Sequence, residues 1–322
     1  MWLNRSEVVI CISLFKIKVN YHIAVLIRCI HLFRIANSDF PRIPPCYQYR
    51  MFLMLQSVSI HTEVLPILFI NMGDVITTEI EKELVFHKLV EENQGINEKE
   101  ITSESWIERN EDLTNETVCG IDQRQKVLAT QQMPYMAICK LYMKASNGLN
   151  YVGSGWLVAG NILYTAGHCV YNKSSGGWKT SIIAIPGKSG LAEPYGRYEA
   201  VELMATRGWI DNASTRYDMG AIKLSKEVSH CSFITPAMED PNIAEICGYP
   251  ADRDNGLFQY KMSDNLVKEN GRFFYQADTF GGQSGSPLLR NRCIGVGIHN
   301  YGGCPNKSSD LYQEFIDGVA NW

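Results

Sequence analysis

From Val118 to the C-terminus, short apolar segments alternate with turns rich in Gly, Asn and Ser. This punctuation is typical of antiparallel strands, because parallel neighbours need long crossover connections, usually helices, and the region shows no βαβ alternation. We therefore predict an all-β fold, either a barrel or a sandwich. The predicted strands are Met136–Tyr142, Gly153–Val158, Ile182–Ile185, Ala221–Leu224, Ala244–Gly248, Leu257–Met262, Phe273–Ala277, Pro287–Leu289 and Cys293–Ile298.

One turn in this region, Thr279–Pro287, contains a serine flanked by glycines. Glycine lets the backbone bend sharply, which can bring amide N–H groups toward one point. If Ser284 attacks a carbonyl, its own N–H and that of Gly282 could form an oxyanion hole. Gly-Ser-Gly also occurs in ordinary flexible turns, so this stretch alone does not decide between the two interpretations.

Two upstream stretches favour catalysis. His168 follows an apolar run, and Asp218 opens an alternating apolar segment; the order His, Asp, Ser is spaced by 50 and 66 residues. A hydroxyl nucleophile needs a base to accept its proton, and that base needs a carboxylate to fix its tautomer. A lone histidine is usually structural and a lone aspartate usually a turn or cap. Together, the three contexts predict a catalytic triad.

These stretches also carry a family resemblance. The runs TAGHC (165–169), YDMGAIKL (217–224) and GGQSGSP (281–287) resemble the active-site blocks of chymotrypsin-fold serine endopeptidases, in particular the secreted V8-like glutamyl endopeptidases. The runs VCGIDQR (118–124), CGYP (247–250) and GIHNYGG (297–303) extend the match. The resemblance covers 118–322 and none of the first 117 residues. It implies two packed antiparallel β-barrels with a C-terminal helix, protein or peptide substrates, and secretion.

The resemblance leaves the side chain preferred before the cleaved bond, P1, open. His299 and Thr279 lie at positions that bind a P1 carboxylate in V8-like enzymes, which favours glutamate. Asp278 lies where trypsin-like enzymes bind Lys or Arg, so a trypsin-like preference is the alternative. A third hypothesis is that the chain is a noncatalytic homologue that acts as a binding protein, which the intact triad disfavours. Gln283 replaces the aspartate that pairs with the new N-terminus in trypsin-like zymogens, so the sequence does not predict activation by that ion pair. In glutamyl endopeptidases the mature N-terminal amine lies near the pocket for the substrate carboxylate, and the resemblance gives this role to the amine of Val118.

We expect three regions along the chain. Residues 1–73 hold interrupted apolar runs and read as a weak signal-like segment or a mis-assigned start; none approaches the ~20 apolar residues of a membrane-spanning helix, so we expect no stable span. Residues 74–117 are strongly acidic and read as a propeptide or linker, with a short helix at about 84–90. Residues 118–322 form the protease domain, its start set by the resemblance of VCGIDQR to a mature N-terminus.

The remaining features concern partners and cross-links. A net charge of -4 with no basic stripe excludes nucleic acid as an expected partner. Seven of the ten cysteines fall in 118–322, and without zinc spacing they favour disulfides, one cysteine being free or paired with, for instance, Cys46. We expect a monomer with no metal or cofactor. Asp310 is placed to cap a C-terminal helix whose apolar face carries Leu311, Phe315, Val319 and Trp322, packed on the second barrel.

Overall fold

The computed structural model describes residues 81–89 and 117–322, all within one compact unit, Phe69–Trp322. The predictions for residues 1–73 and for most of 74–117 lie outside the described residues. In chain order the strands are β1 (Leu84–Lys88), β2 (Gln125–Lys126), β3 (Ile138–Ala145), β4 (Asn150–Ala159), β5 (Ile162–Thr165), β6 (Tyr171–Asn172), β7 (Gly177–Pro186), β8 (Tyr198–Thr206), β9 (Gly220–Leu224), β10 (Thr235–Pro236), β11 (Ile243–Gly248), β12 (Tyr260–Asn265), β13 (Val267–Glu269), β14 (Arg272–Tyr275), β15 (Pro287–Asn291), β16 (Ile294–Tyr301) and β17 (Asn306–Asp310). The helices are α1 (Gly167–Val170), α2 (Arg207–Asn212) and α3 (Gln313–Ala320), and short 3₁₀ turns lie at Tyr135–Ala137, Lys173–Ser175, Thr215–Tyr217 and Asp254–Gly256.

The first sheet closes into a barrel. Its strands run in the order β8, β9, β5, β4, β3, β7, and β7 pairs back to β8. Leu157, Leu163 and Ile222 are paired neighbours on one face of this sheet and are fully buried. Each such side chain stabilises the fold by about 1.5–3 kcal/mol through removal of apolar surface from water. Closure leaves few free strand edges, and the pairing between β8 and β7 is short.

The second sheet curls into a half-barrel. Its order is β13, β14, β17, β16, β15, β11, β12, β2, with β10 beside β16. A separate core of apolar side chains fills it, including Ile246, Phe273 and Val296. The prediction of an all-β fold with two antiparallel units is confirmed, and the predicted strands all overlap observed ones. The long strand β8 was missed, because Glu199 and Glu202 are three residues apart and so break the two-residue alternation that marks a half-buried strand.

Residues 84–88 do not form the predicted helix. They are strand β1, paired antiparallel to β8 from Leu84 opposite Thr206 to Lys88 opposite Glu202. The local sequence Leu-Val-Phe-His-Lys has β-branched and aromatic residues that suit a pleated, half-buried surface. The deciding factor is not local, since the flank of β8 that β7 leaves unpaired offers these residues a partner.

The C-terminal helix differs from its prediction in its start and its neighbour. It begins at Gln313 after Tyr312, while Asp310 ends β17 and forms an ion pair with Lys268 at 2.6 Å. Phe315 and Val319 are buried as expected. The ring of Phe315 meets the edge of Tyr164 in the first barrel, with centroids 4.8 Å apart. The helix therefore packs on the first barrel rather than the second.

The cysteines form fewer cross-links than expected. Among the described residues a single disulfide joins Cys119 to Cys304, and five cysteines are thiols: Cys139, Cys169, Cys231, Cys247 and Cys293. Three of these five are buried in the core, where a thiol packs as a small apolar group. The Cys119–Cys304 bond ties the segment that precedes β2 to the loop between β16 and β17.

Candidate active site

His168 and Asp218 form a tightly connected pair on the first barrel. His168 lies in the single turn α1 directly after β5, and Asp218 follows the 3₁₀ turn Thr215–Tyr217 just before β9. One carboxylate oxygen of Asp218 accepts the backbone N–H of His168 at 2.8 Å, and the other lies 2.7 Å from His168 Nδ1. The carboxylate thus holds both the main chain and the ring, and Nε2 remains the nitrogen available for proton transfer.

This pair is almost sealed from water, with His168 7% exposed and Asp218 fully buried. Burial alone lowers the pKa of His168, but the adjacent Asp218 carboxylate outweighs burial and raises this pKa well above its ordinary value. A protonated imidazole is therefore stabilised here. That is the charge state a general base reaches during proton transfer.

Two residues of the second barrel, Asn300 and Tyr301, form hydrogen bonds with Asp218. The side-chain amide of Asn300 donates to the backbone oxygen of Asp218 at 3.0 Å and to Ser309 Oγ at 2.6 Å. The phenol of Tyr301 hydrogen-bonds the Asp218 side chain, and burial raises the pKa of that phenol, so it stays protonated. Sequence reasoning assigned no role to Asn300 or Tyr301. Their only signal was their place in the 297–303 run.

The loop that carries Ser284 needs its glycines. Gly282 and Gly285 have φ of +95° and +90°, in the left-handed region. A Cβ on Gly285 would lie 2.0 Å from the backbone oxygen of Ser154, and one on Gly282 would lie 2.6 Å from that of Tyr249. Ser154 also fixes the loop directly, since its N–H donates to Ser284 O and its hydroxyl donates to Gly282 O, both at 2.8 Å.

The serine loop lies against the stretch that contains His168. The thiol of Cys169 is 3.7 Å from the backbone oxygen of Ser284. The Cβ position of Gly285 lies 2.3 Å from Thr165 Oγ1, three residues before His168. The structure therefore brings the predicted residues His168, Asp218 and Ser284 to one place, at the junction of the two barrels.

Thr279 and His299 lie beside the serine loop and are fully buried. The backbone oxygen of His299 accepts from Gly285 N–H at 2.7 Å, which holds its strand next to Ser284. Tyr275 Oη lies 2.5 Å from His299 Nδ1. The hydroxyl of Thr279 is buried with no hydrogen-bond partner among the described residues. Such a group costs free energy unless a ligand or water satisfies it.

Asp278 has a different environment from its neighbour Thr279. One of its carboxylate oxygens accepts the N–H of Cys119 at 2.7 Å and the other accepts the N–H of Gln123 at 2.8 Å. The side chain is 2% exposed. Both oxygens are thus engaged by the segment that follows Val118, and Asp278 serves to fasten that segment to the second barrel.

The same segment reaches Thr279. The backbone oxygen of Thr117 accepts from Thr279 N–H at 3.4 Å and from the side-chain amide of Asn306 at 2.9 Å. A second polar cluster lies a few residues on, where the buried guanidinium of Arg124 bridges Asp122 and Asp252. Hydrogen bonds from Arg124 outweigh burial and lower the pKa of Asp122. Residues 117–124 are therefore an integral part of the wall near Thr279.

Two general features of the described part of the chain bear on function. No group of three or more His, Cys, Asp or Glu side chains in ranges 81–89 and 117–322 is arranged to hold a metal ion. Within those ranges, no helix has the length and apolar character needed to cross a membrane.

Known proteins match this part of the chain. The family model described as Trypsin matches residues 123–322. An extracellular metalloprotease of Bacillus subtilis is 31% identical over 229 residues, which cover 67% of this chain and 73% of that protein. A glutamyl endopeptidase of Bacillus licheniformis is 31% identical over 224 residues, or 64% of this chain and 69% of that protein.

Solved structures extend the comparison. A Glu endopeptidase in complex with MPD superposes with a TM-score of 0.58 at 28% identity and covers 63% of this chain and 98% of its own. A structure titled HL collagenase superposes with a TM-score of 0.53 at 14% identity, covering 63% of this chain and 99% of its own, and so shares the fold alone. The family match covers every strand of the two sheets except β1.

Proposed function

The chain belongs to the trypsin family and is a serine endopeptidase, and from this premise we propose that it cleaves peptide bonds after glutamate with Ser284, His168 and Asp218 as catalytic residues. The observation that carries the preference for glutamate is the engagement of both Asp278 oxygens by backbone N–H groups. These two bonds orient the carboxylate toward residues 119–123, and the side chain is 2% exposed, which favours a structural role over that of an anionic base for Lys or Arg.

The proposed reaction proceeds in two steps. Ser284 Oγ attacks the carbonyl carbon of the scissile bond while its proton passes to His168 Nε2, and the C–N bond breaks as that proton moves to the leaving amine. A water molecule then attacks the acyl carbon, gives a proton to His168, and the ester bond breaks as Ser284 Oγ recovers the proton. The balance is one peptide and one water converted to a carboxylic acid and an amine.

The surrounding groups support each charge that develops. The 2.7 Å contact between Asp218 and His168 Nδ1 would fix the tautomer and stabilise the imidazolium. The N–H groups of Gly282 and Ser284 are proposed as the oxyanion hole, and one such donor is typically worth ~10²–10³ in turnover. The left-handed turn at Gly282 is consistent with this assignment. It is open only to glycine here, because a side chain would collide with the Tyr249 backbone.

Thr279 and His299 are the proposed ligands of the substrate carboxylate. The buried Thr279 hydroxyl would gain a charge-assisted hydrogen bond from a glutamate side chain. If the Tyr275 hydroxyl donates a hydrogen bond to His299 Nδ1, the N–H of His299 is at Nε2, which can then donate a hydrogen bond to the substrate. The glutamyl endopeptidases among the relatives agree with this preference by name.

The proposed maturation cuts the chain after Thr117, which ends the covalent link between the acidic residues 74–117 and the protease domain, 118–322. Val118 becomes the N-terminus of that domain, and residues 1–73 are lost in secretion. The contact between Thr117 and Thr279 supports this boundary, because a cut after Thr117 would create an amine close to the proposed acid pocket. A positive charge there would favour a P1 carboxylate.

The test is a P1 profile of the processed enzyme on peptides that differ only in Glu, Asp, Lys, Arg or Phe before the scissile bond. We expect the largest kcat/KM after Glu. Preferred cleavage after Lys or Arg would contradict the pocket assignment and assign the P1 contact to Asp278. Cleavage of none of the peptides, with labelling by a serine-directed phosphonate also absent, would support the noncatalytic binding protein instead.

A further inference from the structure

We propose that residues 81–89, named here the β1 segment, stay bound to the protease as a noncovalent second chain after the chain is cut between Leu89 and Val118. This inference rests on the proposed processing near Val118. It concerns a part of the chain that the family match, which begins at residue 123, does not include.

The β1 segment completes the sheet of the first barrel. Strand β7 pairs with β8 only at Tyr198 and Glu199 on the described register, and β1 pairs with the flank of β8 from Glu202 to Thr206. Backbone hydrogen bonds extend beyond the strand at both ends, from Arg207 N–H to Glu83 O at 2.7 Å and from Leu89 N–H to Val201 O at 3.0 Å. Without β1 this length of β8 would be an open edge.

Two glycines of the protease domain, Gly318 and Gly208, let the β1 segment pack closely against it. A Cβ on Gly318, within helix α3, would lie 2.2 Å from Leu84 Cδ1. A Cβ on Gly208, in helix α2, would lie 2.8 Å from the Cβ of Glu81. Glycine within a helix is unfavourable relative to alanine, so close packing against another segment is a physical reason to have it there. The β1 segment is what occupies both spaces.

Rings and charges reinforce this packing. His87 stacks on Trp178 with centroids 5.0 Å apart and planes 6° from parallel, and Phe86 packs against Trp322 at 5.3 Å. Ion pairs join Glu83 to Arg207 at 2.7 Å and Lys82 to Glu314 at 3.1 Å. Each exposed ion pair contributes little to stability on its own. A shift in the register between β1 and β8 would separate the opposite charges, so the pairs favour the observed register. The segment thus contacts the barrel and helix α3 together.

None of these contacts depends on the peptide linkage between Leu89 and Val118. A cut there leaves the strand, its apolar contacts and its ion pairs in place, as in recognition by strand addition. The contacts also lie near the active site. Thr206, which pairs with Leu84, donates its N–H to Met219 O at 3.3 Å and its hydroxyl to Tyr217 O, on both sides of Asp218. The retained strand would therefore support the loop that carries Asp218.

The experiment uses the full chain with Ser284→Ala and with residues 98–103 replaced by the recognition sequence of an unrelated endopeptidase. After complete cutting, the sample is passed over a size-exclusion column at ~10 μM, well above the dissociation constant expected for a stable complex. Intact-mass spectrometry of the main peak should find both fragments in equal amounts. Elution of the N-terminal fragment apart from the protease domain would overturn the proposal.

Matched variants show whether the β1 segment is responsible for retention. Leu84→Asp places a charge against helix α3 and should weaken retention by on the order of tenfold or more, whereas Lys88→Gln changes an exposed position opposite Glu202 without adding a like charge and should have little effect. Glu83→Arg should weaken retention by about threefold, and Arg207→Glu in the same chain should restore it. Retention that is unaffected by Leu84→Asp and by Glu83→Arg would assign it to other residues and overturn the proposal.

The cut in this experiment is external and the nucleophile is absent, so its result does not depend on the proposed activity. Natural processing is measured separately, from the N-terminal sequence of the active wild-type protease. A wild-type chain that remains uncut between Leu89 and Val118 would overturn the processing and the two-chain enzyme together, even if the engineered cut leaves the segment bound.

Discussion

The two barrels contribute different kinds of polar group to the proposed active site. On the first barrel, His168 and Asp218 form a buried pair whose carboxylate and imidazole lie 2.7 Å apart. On the second barrel, the wall beside Ser284 presents the polar side chains of Thr279 and His299, and the carboxylate of Asp278 next to them is bound to backbone N–H groups. The ion pair on the first barrel suits proton transfer, and the hydrogen-bonding wall on the second barrel suits binding of an anionic substrate. Variants on each side should therefore fail in different ways.

The largest effect is expected at the nucleophile. Ser284→Ala should reduce kcat by on the order of 10⁴ or more, because no acyl-enzyme can form, while the fold is kept. Ser286→Ala is the matched control, since it removes a buried hydroxyl with no partner among the described residues only two positions away. Steady-state kinetics with circular dichroism measure both variants. Equal activity of Ser284→Ala and wild type would contradict the assigned nucleophile.

Asp218→Asn should change both the rate and its pH dependence. Because Asp218 raises the pKa of His168, the imidazole stays protonated to higher pH, and wild-type kcat/KM should rise with a midpoint above the ordinary histidine pKa of about 6.5. In Asp218→Asn the neutral amide no longer raises this pKa, so the midpoint should move to lower pH while turnover falls by about 10³–10⁴. A pH profile of both enzymes decides this. An unchanged midpoint would separate Asp218 from the titration of His168.

His299→Leu should act on the hydrogen-bonding wall of the second barrel alone. Loss of a donor to the substrate carboxylate should lower kcat/KM for Glu peptides by ~10²-fold, the size expected when a buried charged group loses a hydrogen bond. The slow cleavage of a matched Phe peptide should change little, because it makes no such bond. An equal loss on both peptides would indicate a general disturbance of the Ser284 loop, to which the His299 backbone is bonded.

The smallest expected change in catalysis is at Asp278. In Asp278→Asn one acceptor is replaced by a donor that faces an N–H of Cys119 or Gln123, so we expect a loss of about 1–3 kcal/mol in the free energy of unfolding. The order of P1 preferences should be unchanged. Denaturant unfolding and the P1 profile test the two halves of this prediction. A changed preference without a change in stability would make Asp278 a substrate ligand after all.

The sequence predicted the features that depend on contiguous residues. The all-β fold, the family and the endopeptidase class are confirmed. Glycines at 282 and 285 signalled a sharp turn, and short motifs around residues 168 and 218 indicated a proton-transfer pair. Each of these signals lies within a few residues of the group it describes, where backbone geometry is set by local sterics.

The features that the sequence did not predict depend on contacts between distant segments. Residues 84–90 have an apolar pattern that fits a short helix, and the flank of β8 that β7 leaves unpaired makes Leu84–Lys88 a strand. The direction of the Asp278 side chain is decided by N–H groups more than 150 positions away in the chain, at sequence separations of 159 and 155. The support of Asp218 by Asn300 likewise crosses from one barrel to the other. No periodicity or motif encodes such contacts.

The most direct test of the division between a proton-transfer pair and a carboxylate-binding wall compares two peptides that differ only in Glu or Gln at P1. The two side chains have the same shape, so the ratio of their kcat/KM values measures recognition of the carboxylate alone. We predict a ratio of at least about 10² in favour of Glu, lost in His299→Leu and kept in Asp278→Asn. A ratio near one in the wild-type enzyme would contradict the proposed acid pocket, whatever the activity of the triad.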